Sequence, residues 1–261
     1  MAICRTEAIV LRGIKLGESS KIVTLYTQSY GKIKVIAKGV RRPKSKFGAS
    51  LEPITHSLVI FYRKEGRDLH TLSEGDLLTP FTRLKGEFSR LTYASAVCEL
   101  TDRLMVGEEP NRPLFRTLLG ALHGIEEAPP EDAEKFLWRY ELALSGFLGY
   151  RPEFNTCVHC GRPLRGRSLL FSFPLGGVLC EKCTDRDARA SPIFPGTARF
   201  LFHLQRVSMN RVARLKTAPE MAAQIRTLLD RFLAYHTENY RNLKSLSFLR
   251  KVAEPYVAIH Y

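Results

Sequence analysis

The chain has 261 residues, 44% apolar and 25% charged, the composition of a folded soluble protein. Forty basic residues against 26 acidic ones leave a net charge of +14, which points to a polyanion as partner, nucleic acid before anionic membrane. Apolar runs such as LVIFY at 58–62 are far below the ~18–20 residues that cross a bilayer, and MAICRTEAIVLRG lacks the features of a signal peptide. A cytoplasmic location is therefore expected, where the six cysteines read as thiols or metal ligands before disulfides.

Residues 1–80 read as β. The runs EAIVLRG, SKIVTLYT, GKIKVIAKG, THSLVIFYRK and LHTLSEGDLL are separated by turn residues such as Gly17, Gly31, Gly39 and Gly66. Five short strands followed by a helix predict a small closed barrel, with the OB-fold as the natural candidate. In GKIKVIAK, alternation places Ile33, Val35 and Ala37 on the core face and Lys32, Lys34, Ile36 and Lys38 on the other. The next stretch, AKGVRRPKSKFG, carries five cations (Lys38, Arg41, Arg42, Lys44 and Lys46) and no acid, with Gly39 and Pro43 as bends. Strands flank it closely, so a loop that carries its cations beside the lysine face is expected, not a free linker.

Residues 81–156 switch to a helical period. Leu84, Phe88, Leu91, Ser95, Cys98, Asp102 and Met105 recur in steps of three and four, as do Phe136, Leu137, Tyr140, Leu144, Phe147 and Leu148. Between these stripes, HGIEEAPPEDAEK reads as a helix–helix loop, and Cys98 as a small core residue, with Cys4 packing likewise in the first strand. Charge is segregated: residues 1–80 carry +7, 81–156 carry −3, 157–196 carry +3 and 197–261 carry +7. In the last segment Pro219 suits a first helical turn, and Ile225, Leu228, Leu229, Phe232 and His236 form a stripe.

The cysteines carry the sharpest motif. CVHC and CEKC give C-x2-C-x19-C-x2-C, so Cys157, Cys160, Cys180 and Cys183 offer four thiolates to one tetrahedral Zn²⁺. The intervening segment is too short for its own core, so a metal cross-link is useful there. Four protein ligands close the site, making the zinc structural; His159 is expected to be a solvated position inside the knuckle. Walker, nucleophile-elbow, dinucleotide, H-E-x-x-H and deaminase motifs are missing, so a binding module is expected in place of an enzyme.

Four segments in order, GESSKIVTLYTQSYGKIKVIAKGVRRPKSKFGASLEPIT (17–55), GFLGYRPEFNTCVHCG (146–161), FSFPLGGVLCEKC (171–183) and RNLKSLSFL (241–249), resemble the bacterial RecO family of recombination mediators. The resemblance implies an α+β multidomain chain. It would have an OB-fold barrel at 1–80, a helical domain at 81–156 and 191–261, and an inserted four-cysteine zinc module at 157–190. It implies binding of single- and double-stranded DNA and annealing of complementary strands. It also implies loading of RecA, with RecR and often RecF, onto DNA coated by the single-stranded-DNA-binding protein, which is contacted through its acidic C-terminal tail.

On this reading Lys32, Lys34, Lys38, Arg41, Arg42, Lys44 and Lys46 neutralise phosphates, and Phe47, Tyr26 or Tyr62 are candidates to stack on bases. Arg241, Lys244, Arg250 and Lys251 form a second cationic set, to extend the DNA path or receive the acidic tail. Two rivals from other classes are a zinc-stabilised scaffold for acidic proteins and an RNA-binding factor, since a cationic barrel does not by itself separate RNA from DNA.

Overall fold

The computed structural model describes residues 2–64, 66–240, 243–245, 247 and 248. Strands β1 (Ala2–Leu16), β2 (Ser20–Thr27), β3 (Gly31–Ala37), β4 (His56–Arg63) and β5 (Leu69–Thr79) close into a barrel in the order β1-β2-β3-β5-β4. All neighbours are antiparallel except β3 and β5, which pair parallel. This connectivity is the expected OB-fold.

The turns follow from the glycines. Gly17, Gly31, Gly39 and Gly66 all have positive φ, a region that costs a residue with a Cβ. At Gly31 the demand is doubled, because a Cβ there would lie 2.4 Å from the carbonyl oxygen of Glu109. Inside the barrel, Ala8, Val10, Val23, Leu25, Ile33, Val35, Val59 and Phe61 are buried, with Ile33, Val35 and Ala37 on the core face as alternation predicted.

One irregularity decides what the barrel shows to solvent. The β1–β2 register shifts between Val10 and Arg12. The Val10 N–H donates to Thr55 O, and the Val10 carbonyl accepts from Ile54 N–H. A bulge of this kind reverses which side chains face out. Beyond it Arg12 is opposite Thr24, which is opposite Lys34, and Ile14 is opposite Ile22, which is opposite Ile36.

The helices are α1 (Thr82–Gly86), α2 (Phe88–Leu104), α3 (Arg112–Glu127), α4 (Ala133–Phe147), α5 (Pro195–Leu204) and α6 (Pro219–His236). The stripe expected from Leu84 to Met105 breaks. Glu87 is extended (φ −115°, ψ 123°) and separates α1 from α2, so the helical phase restarts. Leu84 and Cys98 are buried, whereas Phe88 is half exposed, and α2 buries Ala94, Val97, Thr101 and Leu104 instead. Arg90 is also buried there, its guanidinium donating to Glu87 Oε2 and to the carbonyls of Ile125 and Glu126. That pairing supplies what a buried charge requires.

The chain divides into two compact units. One holds β1–β5, α1–α3 and the described residues after 242; the other spans 131–240. In the second unit, β6 (Leu169–Ser172), β7 (Gly177–Leu179) and β8 (Ser191–Ile193) form a small sheet in the order β7-β6-β8. Phe136, Leu137, Tyr140 and Leu144 of α4 are buried, as are Ile225, Leu228, Leu229 and Phe232 of α6, matching both predicted stripes; Phe147 is exposed. Among the described residues no helix is long and apolar enough to cross a membrane.

Candidate functional site

The loop between β3 and β4 is anchored at its apolar end and cationic at its other. Phe47 and Leu51 insert into the barrel core, and Ser50 Oγ donates to Phe47 O at 2.6 Å. Successive turn bonds (Arg42 N to Gly39 O, Ser45 N to Arg42 O, Ser50 N to Phe47 O) wind the intervening backbone into a fixed path. Lys38, Arg41, Arg42, Lys44 and Lys46 are all exposed. Neither they nor Lys34 pairs with an acid among the described residues. Arg41 is tied down by side chain as well as backbone, its backbone N–H donating to Ser19 O at 3.0 Å and its Nη1 to Gly17 O at 3.2 Å, while Lys46 Nζ lies 5.5 Å from the centroid of the Phe47 ring.

Beneath this loop is a concavity of about 400 Å³ lined by Leu16, Ser20, Ile36, Lys38, Gly39 and Arg42. It opens onto an outward-facing belt. Ile14 pairs with Ile22, Ile22 with Ile36, Ile36 with Thr71, Thr71 with Tyr62, and Tyr62 with Ile3. Directly opposed residues share a face, so these side chains ring the outside of the barrel. Ile3 is 71% exposed, Ile14 53% and Tyr62 37%. Solvent-facing isoleucines beside unpaired cations make an amphipathic surface that suits bases and phosphates together.

Three expected site residues are corrected. Phe47 is 3% exposed in the barrel core and Tyr26 is 1% exposed, so neither face is available to a base. Burial pushes the Tyr26 phenol up to about 12. Lys32 is on the same face as Lys34 but is engaged there: its Nζ donates to Asp102 O and lies 3.7 Å from Asp102 Oδ1. Burial lowers the Lys32 pKa despite that carboxylate. Tyr62 is the aromatic candidate that remains exposed. Of the second cationic set, Lys244 is exposed with its backbone N–H on Glu99 Oε1, while Arg241, Arg250 and Lys251 lie outside the described residues. The isoleucine belt was missed from sequence. Alternation put Ile36 beside the lysines, but only strand register brings Ile14, Ile22 and Tyr62 into line with it.

In the second unit the four cysteine sulfurs lie within 4.8 Å of one another, with Cys160 and Cys180 at 3.9 Å. Tetrahedral Zn–S bonds of ~2.3 Å require sulfurs about 3.8 Å apart, so the donor set fits a single zinc-sized ion. Both knuckles have the local bonds of a metal loop: Gly161 N donates to Cys157 O, Cys183 N to Cys180 O, and Cys180 N to Cys157 Sγ at 3.4 Å. Burial raises the Cys157 thiol, but the backbone N–H groups of Cys160, Cys180 and His159 outweigh it and bring the thiol down to about 6. Burial and the other three sulfurs push Cys183 up to about 12. A stabilised Cys157 thiolate beside a Cys183 thiol that resists further negative charge is a set that a divalent cation completes. His159 is exposed, with Nδ1 3.7 Å from Cys183 Sγ. Gly177 lets the module close, since a Cβ there would meet the Glu153 carbonyl at 2.8 Å. Cys4 and Cys98 are buried core thiols, Cys98 pushed up to about 12 by burial.

Comparison with known proteins covers nearly the whole chain. Residues 1–81 match the family model "Recombination protein O N terminal", and residues 86–247 match "Recombination protein O C terminal". The "DNA repair protein RecO" of Pelotomaculum thermopropionicum is 35% identical over 254 residues, covering 97% of this chain and 96% of the relative. The protein of that name from Nocardioides sp. is 38% identical over 253 residues, covering 95% and 99%. That from Salinibacter ruber is 36% identical over 254 residues, covering 96% and 95%.

Proposed function

The chain belongs to the recombination protein O family, which gives it a role in DNA repair, and from that premise we propose that it is a recombination mediator that works by binding DNA on the outside of its barrel. Lys34, Lys38, Arg41, Arg42, Lys44 and Lys46 hold phosphates. Tyr62 and the Ile14–Ile22–Ile36 row receive unstacked bases. The single observation that carries this reading is the run of exposed, unpaired loop cations beside that apolar belt.

The chemistry follows from charge and water. Phosphate contacts carry no base information, so binding is indifferent to sequence. Two backbones screened by one cationic surface repel each other less while their base edges stay free to pair, which is strand annealing. The protein acts on single- and double-stranded DNA in the bacterial cytoplasm, at the nucleoid. Together with RecR and RecF it loads RecA onto strands covered by the single-stranded-DNA-binding protein. The acidic tail of that protein is received by the second cationic set around Lys244. No step calls for a nucleophile or catalytic base.

Cys157, Cys160, Cys180 and Cys183 would hold one Zn²⁺, which supplies a cross-link in place of a core. The knuckle backbones orient the four sulfurs, and Phe154, Phe171 and Phe232 pack the sheet behind them.

Oligonucleotide binding measured across salt tests the proposal. Lys34 and the five loop cations on a single strand predict a log–log slope of roughly −4.2, from about −0.7 per contact. Weak, non-saturating DNA binding alongside tight capture of an acidic protein would overturn it, as would clear preference for RNA over a DNA of the same sequence.

A further inference from the structure

The zinc module carries a second cationic surface that the function above does not use. Arg162, Arg165, Arg167 and Lys182 are exposed, and none is in an ion pair with an acid of the described residues. Arg162, Arg165 and Lys182 line a concavity of about 410 Å³ with Pro163, Cys180 and Glu181. Glu181 is the carboxylate in that wall, and its Oε1 is committed to the loop itself, accepting from the N–H groups of Arg167 and Ser168 at 3.0 Å each. Gly166 makes this grip possible, for a Cβ there would lie 2.5 Å from Glu181 Oε1. The acid therefore shapes the arginine loop while the cations stay free.

We propose that this concave face is a second phosphate-backbone site, so that one chain holds two nucleic-acid strands, one on the barrel and one on the zinc module. The inference rests on the DNA-binding reading of the barrel. It is carried by the side-chain chemistry: three arginines present planar forks suited to phosphate, and one lysine adds a point charge. Cys180 lies in the wall, so the metal cross-link fixes the geometry of the arginine loop and couples zinc occupancy to this site but not to the barrel. Two strand sites of separate origin give annealing a direct route, because each strand is held by its own backbone.

A different role for the same cations is to offset the dianion that four thiolates form around one zinc. The experiment separates the two. The full-length triple variant Arg162→Gln/Arg165→Gln/Lys182→Gln is compared with Arg41→Glu/Arg42→Glu and the unmodified protein. The readings are zinc content, single-strand affinity across salt, binding stoichiometry and annealing rate for complementary oligonucleotides.

The expected result is that the triple variant keeps its zinc and its first strand, loses the second equivalent of strand, and anneals at least tenfold more slowly. The salt slope for the strand it still holds is unchanged, because the three lost contacts, at about −0.7 each, belong to the other site. Unchanged annealing and stoichiometry overturn the proposal, and so does loss of zinc with DNA binding intact, which would assign the cations to the metal. If the barrel variant also binds normally, the barrel reading fails on its own evidence, independently of the zinc-module result.

Discussion

Arg41 donates a guanidinium N–H to the carbonyl of Gly17, 3.2 Å away, and its backbone N–H to Ser19, so the cationic loop is tied to the β1–β2 turn. The loop's remaining cations are thereby presented over a defined floor of Leu16, Ser20 and Ile36.

Substituting Arg41 and Arg42 one at a time separates the two roles. Arg42→Glu should weaken single-strand binding and make the salt slope shallower by about 0.7 with no change in folding. Arg41→Ala should do the same and also loosen the turn at Gly17, read as faster amide exchange at residues 17–20. Equal affinity in all three proteins would remove the loop from the DNA site.

Phe47 anchors that loop from inside the barrel. Phe47→Ala should destabilise the first unit by about 3–5 kcal/mol, the usual cost of removing a buried phenyl ring. Phe47→Leu should stay folded and bind oligonucleotides like the parent. A loss of binding in the leucine variant at full stability would restore Phe47 as a stacking residue.

Tyr62 and Ile36 test the belt. Tyr62→Ala should cost single-strand affinity on the order of 1–3 kcal/mol, the range for one base–aromatic stack, and should affect duplex DNA little, because paired bases are not presented. An aspartate at Ile36 should weaken both by adding negative charge beside Lys38 and Arg42. Unaltered binding by both variants would limit the site to the loop.

Metal removal should act locally. Chelation is expected to release one zinc per chain and to abolish amide protection across residues 157–190, while β1–β5 keep theirs, since the cysteine cluster and the barrel belong to different compact units. Loss of barrel protection at the same chelator concentration would contradict this.

His236 makes the second unit acid-sensitive. Its Nε2 lies 2.9 Å from Phe173 O and its ring stacks on Tyr150 with centroids 4.8 Å apart. Burial lowers its pKa below 6.5, the hydrogen bond to Phe173 only partly opposing this. The unfolded chain then binds more protons than the native one as pH falls through and below that value, so stability drops with acidification. His236→Gln should flatten this part of the pH dependence of the urea midpoint between pH 7 and pH 5. An unchanged profile would show that the ring does not contribute.

Much of this protein is legible in its sequence wherever the signal is local. Two C-x2-C knuckles are legible as one cluster of four sulfurs because each pair is brought together by its own turn. The alternation of GKIKVIAK gives the inner and outer faces of β3, because a strand's period is fixed by its backbone. Glycines at 17, 31, 39 and 66 mark turns because only they accept positive φ at no cost. The predicted stripe through Leu84–Met105 failed where one extended residue, Glu87, reset the helical phase, and no residue type announces that break.

What tertiary structure alone decided is which polar and aromatic groups remain free. Lys32 and Lys34 read alike in sequence, yet Lys32 meets Asp102, seventy positions away, and Lys34 meets no acid among the described residues. Phe47 and Tyr62 were equal candidates, but the loop folds Phe47 into the core while β4 turns Tyr62 outward. The belt from Ile14 to Tyr62 exists only because a bulge after Val10 inverts β1 and barrel closure sets the register. The sequence determined most of the elements, the four-cysteine cluster and the charge. Partners distant along the chain decided the free surface, because burial and pairing depend on what the fold brings within a few ångströms.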